Sequence, residues 1–303
     1  MKFQDWLLIV GLSLLFGSSF FFTEVAGESL GPLSIAASRL VIAGAVLAVI
    51  ALVQSRRTVA RTPLGTLVLM GLLNSFLPIS LIAWAQQSLP SGISAILAAT
   101  SPVFGIFFAH ALLRQEKLTP MRVAATIGAF VAVVLVLDPT GTVGMSAGLP
   151  PRAVLAAAAS SALAGVLGRR LIVPGTRPLD VATGQVISAA VMATLGAAVF
   201  ERPWAQPAPS VQALASLVTM GLVSTALAYV LFFRLLERVG AANTLLVGFL
   251  VPASATLLGA TFLGERLSWL QCAGYLVLGL ALLVIGRAKP VPADTPLPSE
   301  QAR

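Results

Sequence analysis

The chain is poor in the residue types that most enzyme and soluble-protein chemistry depends on. Its single cysteine, Cys272, cannot close an internal disulfide, and within its apolar run it reads as a small buried hydrophobe. The single histidine, His110, excludes any zinc site that needs two imidazoles. Charged residues make up only 10% of the 303 residues, against about 25% in a soluble domain. No GxxxxGK[ST] run is present, so the sequence shows no ATP site. No paired carboxylates, histidine cluster or activated nucleophile stands out at any depth, and the chain is expected not to be an enzyme. No cofactor or metal is expected either. What is abundant is apolar surface. Hydrophobic residues form 57% of the chain and the mean hydropathy is +0.95, far more than a soluble fold of this length could cover. The surplus must face lipid.

Long apolar runs fit this reading, because a spanning helix needs about 20 mostly apolar residues. Ten spans are predicted: Trp6–Val25, Gly31–Val53, Leu64–Gln86, Pro90–Leu113, Met121–Leu137, Arg152–Leu171, Val181–Phe200, Val211–Phe233, Val239–Gly264 and Leu267–Ile285. The fifth is the weakest because it is short, and the alanine-rich sixth is next. Glu24 and Glu28 stand where a signal-peptide cleavage site would need small residues, so the first run reads as an uncleaved span. The polar, proline-rich tail 288–303 is expected to be a disordered cytoplasmic segment.

The net charge of +8 and the pI near 11 would point to nucleic acid in a soluble protein. Here the basic residues sit in short runs between apolar stretches, and no nucleic-acid partner is expected. With ten spans, fifteen of the nineteen Lys and Arg residues fall on the side of the termini. This asymmetry predicts a multi-pass protein of the cytoplasmic membrane with both termini in the cytoplasm.

The chain also matches itself at an offset of 150 residues. LVLMGLL from Leu67 lies over LVTMGLV from Leu217, Pro102 over Pro252 and Leu113 over Leu263. After a one-residue slip, Glu116-Lys117-Leu118 lies over Glu265-Arg266-Leu267. Two five-helix copies are therefore expected. Five is odd, so the second copy should be inverted relative to the first, an arrangement common in secondary transporters. A duplicated membrane scaffold that transports nothing is the other reading of the repeat.

Several of these segments resemble the drug/metabolite transporter superfamily in its EamA-type branch. Phe16-Gly17-Ser18-Ser19-Phe20 is similar to the family's first-span W/F-G-S-x-F signature, and Pro32 with Arg39 to its P-x6-R pattern. SGISAILAATSPVFGIFFAHALLRQEKLT from Ser91 and GAANTLLVGFLVPASATLLGATFLGERLS from Gly240 resemble the fourth-span motif, with its mid-helix proline and L-G-E-x-L-T ending. The first copy departs from that ending, with Arg114-Gln115 in place of Leu-Gly and one extra residue before Glu116. The resemblance implies one EamA-type repeat over 1–138 and a second, inverted one over 148–287. It further implies an all-α integral membrane fold of ten helices around a central cavity, and export of amino acids or related metabolites. The expected partners are a small-molecule substrate and the bilayer, with the chain acting as a monomer. The main rival is a multidrug or quaternary-ammonium exporter, which would need a buried carboxylate facing aromatic residues.

Polar residues within spans are costly and tend to face a cavity or one another. Arg39 lies roughly 12 Å into the second span at 1.5 Å per residue. It could offer its charge to a substrate carboxylate, or tie the first two spans together through Glu24. Glu24 is also the one candidate for proton coupling, by analogy with the first-span glutamate of the smaller four-span multidrug relatives. Candidate substrate contacts are Ser18, Ser19, Arg39, Asn74, Ser75, Trp84, Gln86, Tyr229 and Asn243. Their hydroxyls and amides can hydrogen-bond a zwitterion, and Trp84 or Tyr229 can stack on an apolar side chain. The alternatives are interhelical bonding for the polar groups and interface anchoring for Trp84. Pro102 and Pro252 are candidate hinges, or else static kinks. Gly17, Gly165 and Gly168 are expected at close helix contacts. His110, near the end of the fourth span, is either a pH sensor or a packed interfacial residue.

Overall fold

In the computed structural model, which describes residues 3–54, 62–112, 120–136 and 148–287, every regular element is helical. Among the described residues, eight helices are long and apolar enough to cross a membrane. They are α1 (Phe3–Gly27), α2 (Pro32–Val53), α3 (Leu64–Ala85), α4 (Ser91–Leu112), α6 (Leu149–Leu171), α7 (Pro178–Glu201), α8 (Val211–Leu236) and α9 (Leu246–Leu263). Two shorter apolar helices, α5 (Pro120–Val136) and α10 (Trp269–Arg287), pack against each other. The chain is thus an all-helical integral membrane protein, with the fifth and tenth predicted spans falling short of the other eight. The predicted tail 288–303, the Glu116-Lys117-Leu118 turn and the arginines at 56, 57 and 61 lie outside the described residues.

The exterior explains why these sequences need lipid. Leu7, Val49, Phe130, Val199, Leu257 and Leu276 all point outward. In water they would form a continuous apolar surface, whereas hydrocarbon leaves them no penalty. Cys272 belongs to this exposed set, contrary to expectation. In a bilayer both faces of a helix can be apolar, so hydrophobic neighbours do not imply an interior position.

Local chemistry sets the helix ends. Pro32 and Pro178 occupy first-turn positions, where a missing N–H costs nothing. Ser210 caps α8 by accepting from the Ala213 amide at 3.1 Å. The helical backbone that runs from Ala228 to Leu258 breaks at Gly240, with φ 76° and ψ 169°, a conformation that only glycine adopts readily and that separates α8 from α9. Arg202, with φ 49°, ends α7.

Glu201, in the last turn of α7, reaches across to the start of α2. Its Oε1 accepts from the Leu33 amide at 2.7 Å, and its Oε2 accepts from the Ser34 amide at 2.8 Å and the Ser34 hydroxyl at 2.6 Å. The carboxylate thus satisfies two orphan donors of a helix N-terminus whose dipole favours negative charge. Glu201→Ala is expected to lower the thermal unfolding midpoint in detergent, since bonds to a charged group contribute roughly 1.5–3 kcal/mol. Glu201→Gln should recover part of the loss, and an unchanged midpoint in the alanine variant would contradict the assignment.

Helix pairing has a regular pattern. α1 packs on α8 and α9, and α6 packs on α3 and α4. α2 lies against both α7 and α8, while α7 lies against α2 and α3. α4 meets α9, and α5 meets α10. Exchanging helices 1–5 for helices 6–10 leaves this set of pairs unchanged. Two π-helical turns obey the same relation: Leu72–Phe76 within α3 and Leu222–Leu227 within α8 stand 150 residues apart. Each follows a glycine, Gly71 or Gly221, that lets a neighbouring helix approach closely.

The two proline sites are less alike. The backbone of α4 is interrupted at Ala99–Thr100, just ahead of Pro102, where the Thr100 hydroxyl folds back to donate to the Leu97 carbonyl at 2.6 Å. Pro252 sits buried in continuous helix.

Candidate functional site

The π turn of α8 shapes the polar centre of the bundle. A π turn adds one residue to the helical repeat and re-aims the side chains around it, and such turns are frequent at functional sites. Here it presents Ser224 and Thr225, both buried, to α1 and α2. Thr225 Oγ1 accepts from Arg39 Nε at 2.8 Å. The guanidinium also reaches Met220 Sδ through Nη1 at 4.0 Å, a weak contact. The Ser224 and Ser18 hydroxyls are 3.0 Å apart, and Ser18 donates to the Leu15 carbonyl at 2.9 Å. One turn further along α8, Tyr229 lies beside Ser75 from the π turn of α3, beside Gln185 of α7, and within electrostatic reach of Arg39.

Five helices drawn from both ends of the sequence therefore converge on one guanidinium and a ring of neutral polar groups. Arg39 is half-buried, and among the described residues no carboxylate lies within ion-pair distance of it; the ion pairs there join Arg177 to Asp180 and Arg238 to Asp5. A guanidinium carries five N–H donors in a planar fork suited to a carboxylate, and only Nε is committed to a short bond.

The ion pair between Arg39 and Glu24, one of the two expected roles of this arginine, does not form. α1 and α2 are joined by a short turn, but α8 packs against both and supplies Arg39 with Thr225 and Met220 instead. Glu24 faces the other way, into a second polar cluster at the end of the bundle that holds the α1–α2 turn. There it lies beside Glu265, Gln86 and the Ser91 amide. Gln86 Nε2 donates to the Phe20 carbonyl at 2.9 Å, tying the end of α3 to α1. Glu265 caps α4, accepting from the Ser91 amide at 2.7 Å and the Gly92 amide at 3.1 Å.

The remaining candidates divide. Ser19 is buried in α1, and its carbonyl accepts from the Thr23 hydroxyl at 2.7 Å. Asn74 is half-buried in the π turn of α3, next to Leu73, whose carbonyl accepts from Ser160 at 2.7 Å. Trp84 is 40% exposed and His110 is exposed, so neither belongs to the buried polar clusters. Asn243 follows the break at Gly240, and its side chain lies outside the described residues. No group of three or more His, Cys, Asp or Glu side chains that could hold a metal occurs among the described residues.

Thr225, Ser224, Gln185 and Glu265 were not among the sequence candidates. Two of them carried a signal, because Ser224-Thr225 is the 150-residue counterpart of Asn74-Ser75. Gln185 carried none beyond being an amide in an apolar run. Glu265 read only as the repeat counterpart of Glu116.

Comparison with known proteins places this geometry in context. The pattern of the EamA-like transporter family matches residues 6–138 and again 152–287. An uncharacterized inner membrane transporter of Escherichia coli K12, YedA, is 28% identical over 97% of both chains. Protein PecM of Dickeya dadantii is 28% identical over 73% of each. A relative named as the S-adenosylmethionine/S-adenosylhomocysteine transporter of Chlamydia trachomatis is 26% identical, over 89% of this chain and 86% of its own. A protein of known crystal structure superposes with a TM-score of 0.65, covering 94% of this chain and 97% of that one at 21% identity, a likeness of fold alone.

Proposed function

Because the chain belongs to the EamA-like transporter family, we propose that this membrane transporter exports amino acids or closely related metabolites by alternating access between two inverted five-helix halves. The observation that carries the substrate class is Arg39, a half-buried cation in the polar centre with no carboxylate partner among the described residues. A charge held within the membrane is costly, and a ligand carboxylate is the natural complement. Ser18, Ser75, Gln185, Ser224, Thr225 and Tyr229 supply neutral donors and acceptors for the rest of a zwitterion. Trp84 is left out of this site because it is exposed.

The preserved helix pairing and the matched π turns support the two-halves reading, and so does the double family match. In that arrangement α5 and α10 complete ten spans around a central cavity, with both termini in the cytoplasm. Two halves of one chain then suffice for a monomer to work. The relative named for S-adenosylmethionine fits the substrate class, since that molecule carries an α-amino carboxylate. A quaternary-ammonium exporter is disfavoured, because a resident guanidinium repels a cation at the same centre.

Flux of a labelled amino-acid panel into proteoliposomes holding the purified protein tests the reading. Saturable, competable uptake of at least one zwitterionic or anionic member is expected. No flux across the panel, or flux of cationic drugs alone, would overturn it.

A further inference from the structure

We propose that Glu24 and Glu265 form a two-carboxyl proton site that ties α1 to the start of α4, and that this site couples transport to the proton gradient. The proposal rests on the transporter reading above and adds a coupling site to it.

Four observations converge. Glu24 lies in hydrogen-bonding contact with Glu265, from the turn that follows α9. Glu265 is fixed, since its two oxygens receive the Ser91 and Gly92 amides at 2.7 and 3.1 Å. Its seat is hollowed by glycine, because a Cβ on Gly259 would collide with the carboxyl group and one on Gly92 would come within 3.3 Å of Oε2. Three buried oxygens from three helices, Glu24 Oε2, Gln86 Oε1 and Ser91 Oγ, have no hydrogen-bond partner among the described residues.

Among the described residues, no cation faces Glu24. The groups that face Glu24 are Gln86 from the end of α3, Ser91 from the start of α4 and Glu265 from beyond α9. Arg39 is engaged by Thr225 and Met220 of α8. Glu28, one turn beyond Glu24, and Arg266, next to Glu265, are exposed. Two carboxyl groups in contact cannot both ionise without a large repulsion, so the pair retains one proton. Glu265, with two N–H donors and a helix N-terminus behind it, holds the charge. Glu24 holds the proton and donates its O–H to Glu265.

Release breaks that O–H bond and passes the proton to water. It leaves two facing carboxylates, which drives α1 away from the α4 start and the α9–α10 turn. Reprotonation restores the contact. A small local change is thereby converted into movement between packed elements from both parts of the sequence.

The deciding measurement is infrared difference spectroscopy of the purified protein in lipid, for the wild type, Glu24→Gln and Glu265→Gln. A protonated-carboxyl band near neutral pH is expected in the wild type and is expected to be lost in both variants. In parallel, proteoliposomes of the same proteins are given a pH gradient. Glu24→Gln is expected to lose gradient-driven accumulation while one-for-one exchange of the substrate remains measurable. Persistence of the band in Glu24→Gln would overturn the proposal, as would undiminished accumulation in that variant or accumulation that follows a sodium gradient instead. Absence of any flux, wild type included, would sink the transport reading, and the band would still decide whether the proton site exists.

Discussion

Arg39→Gln is expected to weaken substrate binding by about 10- to 150-fold, which corresponds to the roughly 1.5–3 kcal/mol of a hydrogen bond to a charged group. An arginine within the membrane is tolerated where it faces a polar interior and has a partner. The partners present here are a threonine hydroxyl and a thioether, both neutral. Neither offsets a full charge, so the structure holds Arg39 in a state that a carboxylate would improve. Glutamine retains a donor and most of the length but loses the charge. Lys retains the charge and loses the planar fork, so Arg39→Lys should fall between the wild type and the glutamine variant. Thr225→Val removes the acceptor that orients Nε, and a several-fold loss is expected from about 1 kcal/mol. The readout is the half-saturation concentration in exchange assays, with thermal unfolding run alongside to show that each variant is folded. An unchanged half-saturation concentration in Arg39→Gln would remove Arg39 from the substrate site and with it the case for an anionic group on the substrate.

What the sequence makes legible follows from which constraints act locally. Lipid acts on every turn of every helix, so the apolar runs mark eight spans and two shorter apolar helices with little ambiguity. The 150-residue self-match identifies equivalent segments, and the π turns at Leu72–Phe76 and Leu222–Leu227, two of the four among the described residues, fall on it. Contacts between helices are another matter. The expected Glu24–Arg39 pair assumed that helices joined by a short turn are neighbours in space. Here α8 lies against both and takes the arginine, while Glu24 meets a glutamate 241 positions away. Facing direction is equally hidden. Trp84 and Gln86 stand two residues apart, yet Trp84 is exposed and Gln86 is buried against α1. The same holds for Cys272, whose apolar surroundings in sequence belong to the exposed surface. A one-residue re-aiming at a π turn decides which hydroxyl meets Arg39, and no periodicity in the sequence reports it.

Substitutions of helix glycines should change stability measurably, and their sign should change from one site to the next. A glycine inside a helix costs about 0.5–1 kcal/mol relative to alanine, so replacing it stabilises wherever a methyl group has room. At Gly165 nothing lies within 4 Å of the added Cβ, and Gly165→Ala should raise the unfolding midpoint. This site was expected at a helix contact and is not at one. At Gly17 the same methyl would come 2.6 Å from Ser254 Cβ and 2.9 Å from the Ala255 amide nitrogen of α9. At Gly71 it would meet the Gln185 carbonyl oxygen at 2.5 Å and the Ala189 nitrogen at 3.2 Å. These obstacles are largely backbone, which cannot swing aside as a flexible side chain does. The helices must separate instead, and overpacking of this kind costs typically about 1–3 kcal/mol, outweighing the gain in helix propensity. Gly17→Ala and Gly71→Ala are therefore expected to lower the midpoint in detergent while Gly165→Ala raises it. Gly71→Ala carries a further consequence, because the backbone it displaces includes Gln185, which lies beside Tyr229 at the polar centre. Substrate affinity should fall with it, whereas Gly17→Ala, whose clash is with α9, should act chiefly on stability. Equal midpoints for all three variants would mean that α1 and α3 do not approach α9 and α7 as closely as the structure places them.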